Sequence, residues 1–202
     1  MRHDHLFIGG QWVESESGEV YTRRDPATGN VVSRHDRATR AEAKRAITAA
    51  REAFDHGPWP HMGAAARGDV LRRAAAELRE RTDELAQLIT LETGKPIAQA
   101  RGEIQTTANL FDHFTHLALE AHGESYAISG TYDALVAREP VGVVAAIVPW
   151  NFPIMMLAFK LAPALAVGCT VVCKPAELTN SIVAEVFEIL RRAGVSDGAL
   201  NM

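Results

Sequence analysis

The rhythm of apolar and polar positions changes twice along this chain. From Thr39 to about Ala121 apolar residues recur at helical spacing. From Gly123 to Arg138 that period disappears, and from Val141 onward continuous apolar runs alternate with helical stretches. Ahead of the first helix, Phe7-Ile8-Gly9-Gly10-Gln11-Trp12-Val13 reads as a tight hairpin whose glycines permit positive φ. Asp25 to Asn30 is a turn cluster. Thr39 and Glu42 make a capping-box pattern, opening a helix with Ala43, Ala46, Ile47, Ala50 and Phe54 on one face. His56-Gly57-Pro58-Trp59-Pro60 breaks it. A second helix presents Val70, Leu71, Ala74, Ala75 and Leu78, with arginines opposite. Thr82 is placed to cap a third bearing Leu85, Leu88 and Ile89, and Gly94-Lys95-Pro96 ends that one and starts a fourth.

Tyr126 to Ser129 and Ala134 to Ala137, separated by Gly130-Thr131-Tyr132-Asp133, read as an antiparallel hairpin. Val141 to Val148 is almost wholly apolar and β-branched, as suits a strand buried on both faces. Pro149 and Pro153 stop the ladder, so Trp150-Asn151-Phe152 is a strand-end loop. A helix follows over Ile154 to Val167, closed by Gly168 in a left-handed C-cap. Thr170 to Cys173 is a second strand, ended by Lys174-Pro175. Strand, helix and strand make a βαβ unit, which implies a parallel sheet. Ser181 to Ala193 gives another helix, with Gly194 past its end, and Ala199-Leu200 opens a further strand. The expected class is α/β, with N-terminal helices packed on an incomplete parallel sheet and a protruding antiparallel hairpin. That sheet is expected to end in an open edge at the strand near Ala199.

Composition narrows the function classes. The 202 residues are 47% hydrophobic and 23% charged with net charge −4, an ordinary globular balance. The mild acidity argues against nucleic acid as a partner. No apolar run is long enough for a membrane span, and the N-terminus lacks the apolar core of a signal peptide. Cys169 and Cys173 are the only cysteines; four apart on an extended segment they cannot easily bridge, which points to a reducing cytoplasm.

Polar residues just past the C-termini of parallel strands stand where ligands bind. Asn151 is an uncharged donor at such a place, able to stabilise an oxyanion on a substrate carbonyl; an Asx-turn role between two prolines is the plain alternative. Lys174 and Glu177 are spaced to bracket a ribose, the ammonium donating to hydroxyls and the carboxylate accepting from the 2′-hydroxyl. A solvated pair at a helix start is their alternative. A carboxylate there repels a 2′-phosphate. No G-x-G-x-x-G follows the first strand of the unit. Lys160, within an apolar helix, needs a polar partner or snorkels to the surface. The cysteines read as core fillers, Met155-Met156 as core, and Asp112, His113 and His116 as a solvated helix face; no metal site is expected.

Glu139-Pro140-Val141-Gly142-Val143, Pro149-Trp150-Asn151-Phe152-Pro153, Lys160, Pro163-Ala164-Leu165 and Lys174-Pro175-Ala176-Glu177 stand in the order and spacing of the aldehyde dehydrogenase superfamily, which this chain resembles. Several linked motifs are more specific than one short pattern. The resemblance implies oxidation of an aldehyde to a carboxylic acid with NAD, NADP being possible, through a cysteine thiolate. It assigns catalytic roles to Asn151 and Lys160. Cofactor contacts fall to Ile147, Val148, Pro149, Trp150, Asn151, Lys174, Ala176 and Glu177. It implies a homo-oligomer, dimer or tetramer, joined partly by the hairpin. It divides the chain into an N-terminal arm and helices of the NAD(P)-binding domain over 1–121, an oligomerisation hairpin over 122–140, and a βαβα part of that domain over 141–202. The family's nucleophile and general base are expected beyond position 202. The chain is thus expected to be inactive alone, and aggregated or self-associated in isolation. The rival expectation is a truncated nucleotide-binding module that docks on full-length subunits.

Overall fold

The computed structural model describes residues 2–130 and 132–202. Thr131, in the predicted hairpin turn, lies outside them. The strands are β1 (Arg2–Asp4), β2 (Leu6–Ile8), β3 (Gln11–Val13), β4 (Val20–Arg24), β5 (Val31–Asp36), β6 (Glu124–Ser129), β7 (Tyr132–Val136), β8 (Val143–Ile147), β9 (Thr170–Lys174) and β10 (Leu200–Asn201). The helices are α1 (Arg40–Asp55), α2 (Ala64–Glu80), α3 (Thr82–Thr93), α4 (Ile97–Leu119), α5 (Pro153–Val167) and α6 (Asn180–Ala193).

The expected βαβ unit is present. β8, β9 and β10 form a parallel sheet in the order β10-β9-β8, with Ile147 opposite Lys174. Alternate residues of β9 face opposite ways. Thr170 points to α1, where its hydroxyl donates to the Ala50 carbonyl at 2.8 Å. Val171 and Cys173 instead enter the main core, shared with α2, α4, α5 and α6. The long hairpin forms as β6–β7 and keeps Tyr126, Ile128, Tyr132 and Leu135 exposed. The Phe7–Val13 hairpin forms as β2–β3 across Gly9-Gly10.

Four expectations are corrected. β8 is not buried on both faces: it is the outer strand of its sheet, and Ala145 and Ile147 are exposed. The sheet does not end in an open edge at β10. Just past β10, Phe7 and Met202 exchange both backbone hydrogen bonds, at 3.0 and 2.7 Å, so the separate β2–β3 sheet is joined to the chain at that edge. Thr82 does not cap α3; its hydroxyl donates backward to the Arg79 carbonyl at 2.7 Å, as helix-interior threonines do. The buried stripe of α1 is Glu42, Ala46, Ala50 and Ala53, leaving Ala43 and Ile47 exposed. The capping box itself is present, and it turns the stripe: the Glu42 carboxylate takes N–H groups from Thr39 and Glu16, so this side of the helix faces inward.

A further sheet, β1-β5-β4, forms from segments without a strand-like apolar pattern. β1 pairs parallel with β5, and β4 pairs antiparallel with it.

Candidate functional site

The site is built where β8 and β9 end side by side. Val148, one residue past β8, is buried, and its N–H donates to the Lys174 carbonyl at 3.3 Å. The two strand-end loops therefore leave the sheet together. Each runs directly into a helix, α5 after β8 and α6 after β9.

Both helix starts are held by a buried carboxylate from the helical layer. The first N–H groups of a helix lack intrahelical partners and need acceptors when buried. In α5, Pro153 has no N–H to satisfy. The Ile154 and Met155 N–H groups donate to Glu103 Oε1 at 3.1 and 3.3 Å, and Met156 N–H donates to the Phe152 carbonyl at 2.9 Å. Every donor of that first turn is accounted for. Glu103 comes from α4, its other oxygen is ion-paired to Lys95, and the Lys95 ammonium lies 4.0 Å from the Phe152 ring centroid. In α6, the Ser181 and Ile182 N–H groups donate to the two oxygens of Glu92, from α3, at 2.9 and 3.0 Å. Burial pushes the Glu92 carboxyl up to about 7, against the pull of those two N–H groups.

The far ends of the same helices are held by arginines of α2. Arg67 donates to the Ala166 carbonyl at 2.9 Å, and Arg73 donates twice to the Ala193 carbonyl, at 3.0 and 2.8 Å. Gly168 (φ 97°) and Gly194 (φ 108°) make the left-handed turns that let each chain leave. Acidic groups at the N-termini and basic groups at the C-termini also match the helix dipoles.

On this frame the predicted residues separate into two groups. Lys174 and Glu177 are exposed and line one cleft of about 510 Å³ between the end of β9, the end of β5 and the start of α1, with Val172, Arg37, Thr39 and Ala43 on its walls. Neither side chain has a hydrogen-bond or ion-pair partner among the described residues. Ala176, between them, is buried, and its carbonyl accepts from Thr179 N–H at 3.1 Å, which fixes the turn carrying Glu177. Pro149, Trp150 and Asn151 form the other group, exposed at the end of β8 beside Ile147 and outside that cleft. The Asn151 amide is likewise unpartnered among the described residues, so it does not close an Asx-turn. Lys160 sits on α5, half-buried and without a hydrogen-bond partner among the described residues, with its charge in reach of Cys173, the neighbour of Lys174.

The cysteines are free and buried. Burial pushes the Cys173 thiol up to about 12, despite the charges of Lys174 and Lys160. Such a thiol carries almost no thiolate at neutral pH. Asp112 pairs with Arg79 at 2.6 Å and His113 lies edge-on to Phe114, as parts of a helix surface. Met155 and Met156 are half-buried and do not belong to the main core, contrary to the expectation above.

Residue reading did not single out Glu92, Glu103, Lys95, Arg67 and Arg73. The available signal was a charge on an apolar stripe. Glu103 shares its face with Ala100, Ile104, Thr107 and Phe111, and Glu92 continues the stripe of Leu85 and Ile89.

Residues 12–202 match the model of the aldehyde dehydrogenase family. Aldehyde dehydrogenase 1 of Tanacetum cinerariifolium is 41% identical over 198 residues, covering 98% of this chain and 40% of that protein. The crystal structure of an NAD-dependent aldehyde dehydrogenase from Sinorhizobium meliloti superposes with a TM-score of 0.97 at 39% identity, over 100% of this chain and 41% of that one. An NADP-dependent glyceraldehyde-3-phosphate dehydrogenase from Bacillus halodurans, complexed with NADP, gives 0.95 at 34% identity, over 100% and 43%. The chain thus spans about two fifths of the length of these relatives.

Proposed function

This chain belongs to the aldehyde dehydrogenase family, and we propose that it is the N-terminal part of an NAD(P)-dependent enzyme that oxidises an aldehyde to its carboxylic acid. The observation that carries this reading is the ammonium–carboxylate pair, Lys174 and Glu177, unpartnered among the described residues and facing one cleft at a strand end. The pair fits a ribose: Lys174 donates to its hydroxyls and Glu177 accepts from the 2′-hydroxyl. A cleft of about 510 Å³ is of the size that small-ligand sites have. Glu177 repels a 2′-phosphate, so NAD is preferred over NADP. Ile147, Val148, Pro149, Trp150 and Ala176 shape the adjoining strand ends and would form the rest of the cofactor site.

NAD(P), when bound, would supply the hydride acceptor for oxidation of the substrate carbon. Asn151 projects from the end of β8 and donates its amide N–H to the oxyanion that forms on the aldehyde oxygen. An amide held in place is suited to this because it needs no proton transfer and no reorganisation. Lys160 supports that constellation through its charge. Neither Cys169 nor Cys173 is the nucleophile, since both are buried and Cys173 is held protonated. No helix among the described residues is long and apolar enough to cross a membrane. The free thiols suit a reducing cytoplasm. The exposed side chains of the β6–β7 ribbon, Ile128 and Leu135 among them, supply a surface for homo-oligomerisation.

Calorimetric titration of the chain with NAD and with NADP tests the reading. Lys174→Ala is expected to weaken NAD binding about tenfold or more, and Glu177→Gln to raise the affinity for NADP relative to NAD. An unchanged NADP/NAD ratio together with an unchanged NAD affinity in Lys174→Ala removes both residues from the ribose.

A further inference from the structure

Three potential metal ligands converge where the N-terminal segment runs beside the end of β5, and two of them, His5 and Asp36, also line the cleft that holds Lys174 and Glu177. His3 Nε2 lies 2.7 Å from Asp36 Oδ1, and His5 Nδ1 lies 2.9 Å from Asp36 Oδ2. One ring nitrogen of each histidine and an Asp36 oxygen all lie within 4.8 Å of one another. The two imidazoles face each other with centroids 4.6 Å apart and planes tilted by 41°. The Asp36 side chain is only 7% exposed, while His3 is 41% and His5 29% exposed, so the carboxylate forms a floor and the rings an open wall. That floor is fixed from behind, because the Ser15 N–H donates to Asp36 Oδ2 at 3.0 Å. The neighbouring guanidiniums are already engaged, Arg2 by Asp4 and Glu185 and Arg37 by Glu19.

We propose that His3, His5 and Asp36 form a binding site for a divalent transition cation of the zinc class, with water completing the coordination. Two imidazole nitrogens and one carboxylate oxygen are a donor set such cations favour over calcium or magnesium, which take oxygen ligands. Bonds of about 2.0–2.1 Å in a tetrahedral centre place donors roughly 3.3 Å apart. Reaching that from the present separations needs only small rotations of two partly exposed rings around a fixed carboxylate. The cation takes the place of the protons that now join ring and carboxylate. It ties the N-terminal segment to β5, 31 residues further along the chain.

The test uses the untagged, metal-free 202-residue chain. Co²⁺ is followed by its visible absorption bands, Zn²⁺ by calorimetry, and thermal unfolding is recorded with and without Zn²⁺. One Zn²⁺ per chain and a raised Tm are expected. His3→Ala and His5→Ala should each weaken binding about tenfold or more, while His113→Ala and His116→Ala leave it unchanged. Asp36→Asn is expected to weaken it too, but also disturbs the anchor to Ser15, so the two histidine variants, with circular dichroism to check folding, decide. Absence of stoichiometric binding overturns the proposal, as does an affinity that survives both His3→Ala and His5→Ala.

Discussion

Replacing Glu103 by alanine should be among the most damaging single changes in the chain. The substitution removes the acceptor of the Ile154 and Met155 N–H groups and leaves Lys95, whose side chain is 9% exposed, without its anion. Stripping one partner from a buried ion pair costs about 3–5 kcal/mol, mostly because the remaining charge stays buried and unpaired. The lost cap adds on the order of 1 kcal/mol. Lys95→Met should cost less, because Glu103 keeps its two helix donors. The double variant Glu103→Ala/Lys95→Met should cost about 2 kcal/mol less than the sum of the single changes, since no orphaned ammonium remains. Urea denaturation at unchanged m-value gives the energies. Hydrogen exchange localises them: protection at the Ile154 and Met155 amides should fall well before that at Leu161, in the middle of α5. A Glu103→Ala cost below about 1 kcal/mol, or strict additivity of the two changes, would refute the idea that this pair anchors the loop carrying Asn151.

Three further outcomes follow from the same frame. Glu92 is raised to about 7 in the folded chain, against about 4.5 unfolded, so the folded state binds more protons between those values and stability falls as pH rises through that window. The fall should amount to as much as roughly 3 kcal/mol and be flattened in Glu92→Gln, read from urea midpoints between about pH 4 and 8; identical slopes for the two proteins would exclude it. Cys169 and Cys173 should resist a thiol-specific reagent in the native chain at neutral pH and react fully in urea, whereas fast native labelling of Cys173 would contradict its burial. In the aldehyde-oxidising enzyme, Asn151→Ala should lower kcat by about 10²–10³ with little change in cofactor affinity; a raised KM for NAD at constant kcat would move Asn151 from the oxyanion to the cofactor.

The elements that residue patterns revealed are those whose neighbours are close in sequence. Helix α2 carries its apolar stripe openly, as α3 does through Leu85 and Ile89, and Gly94, Gly168 and Gly194 mark helix ends with backbone angles that glycine favours. β1, β4 and β5 were illegible because Arg2-His3-Asp4 and Val20-Tyr21-Thr22-Arg23-Arg24 are mostly polar. They form strands only through pairing with β5, whose buried positions, Ser33 and His35, are themselves polar. β8 departs from its pattern for the converse reason: an apolar run signals the capacity for burial on both faces, not the presence of neighbours on both sides. The same limit applied to the site. Asn151, Lys174 and Glu177 could be picked out because strand ends and prolines mark their loops, but the charged groups that hold those loops act across 51 to 90 residues of chain.

Those long-range clamps also explain why the candidate site residues stand free. A helix that begins at a strand end must satisfy its first N–H groups, and the nearest polar side chains are those of the loop itself. Had Asn151 capped α5, or Glu177 capped α6, each would be occupied and turned away from a ligand. Instead Glu103 and Glu92 reach in from α4 and α3 to take those N–H groups, and Arg67 and Arg73 take the carbonyls at the far ends. The crossover helices are thus fixed at both ends by the helical layer, and the loops between strand and helix inherit their positions without lending their side chains to the fold. Asn151, Lys174 and Glu177 therefore keep their full hydrogen-bonding capacity on a backbone that does not need it. That combination of a held main chain and unpartnered polar ends is what substrate and cofactor recognition at strand termini requires.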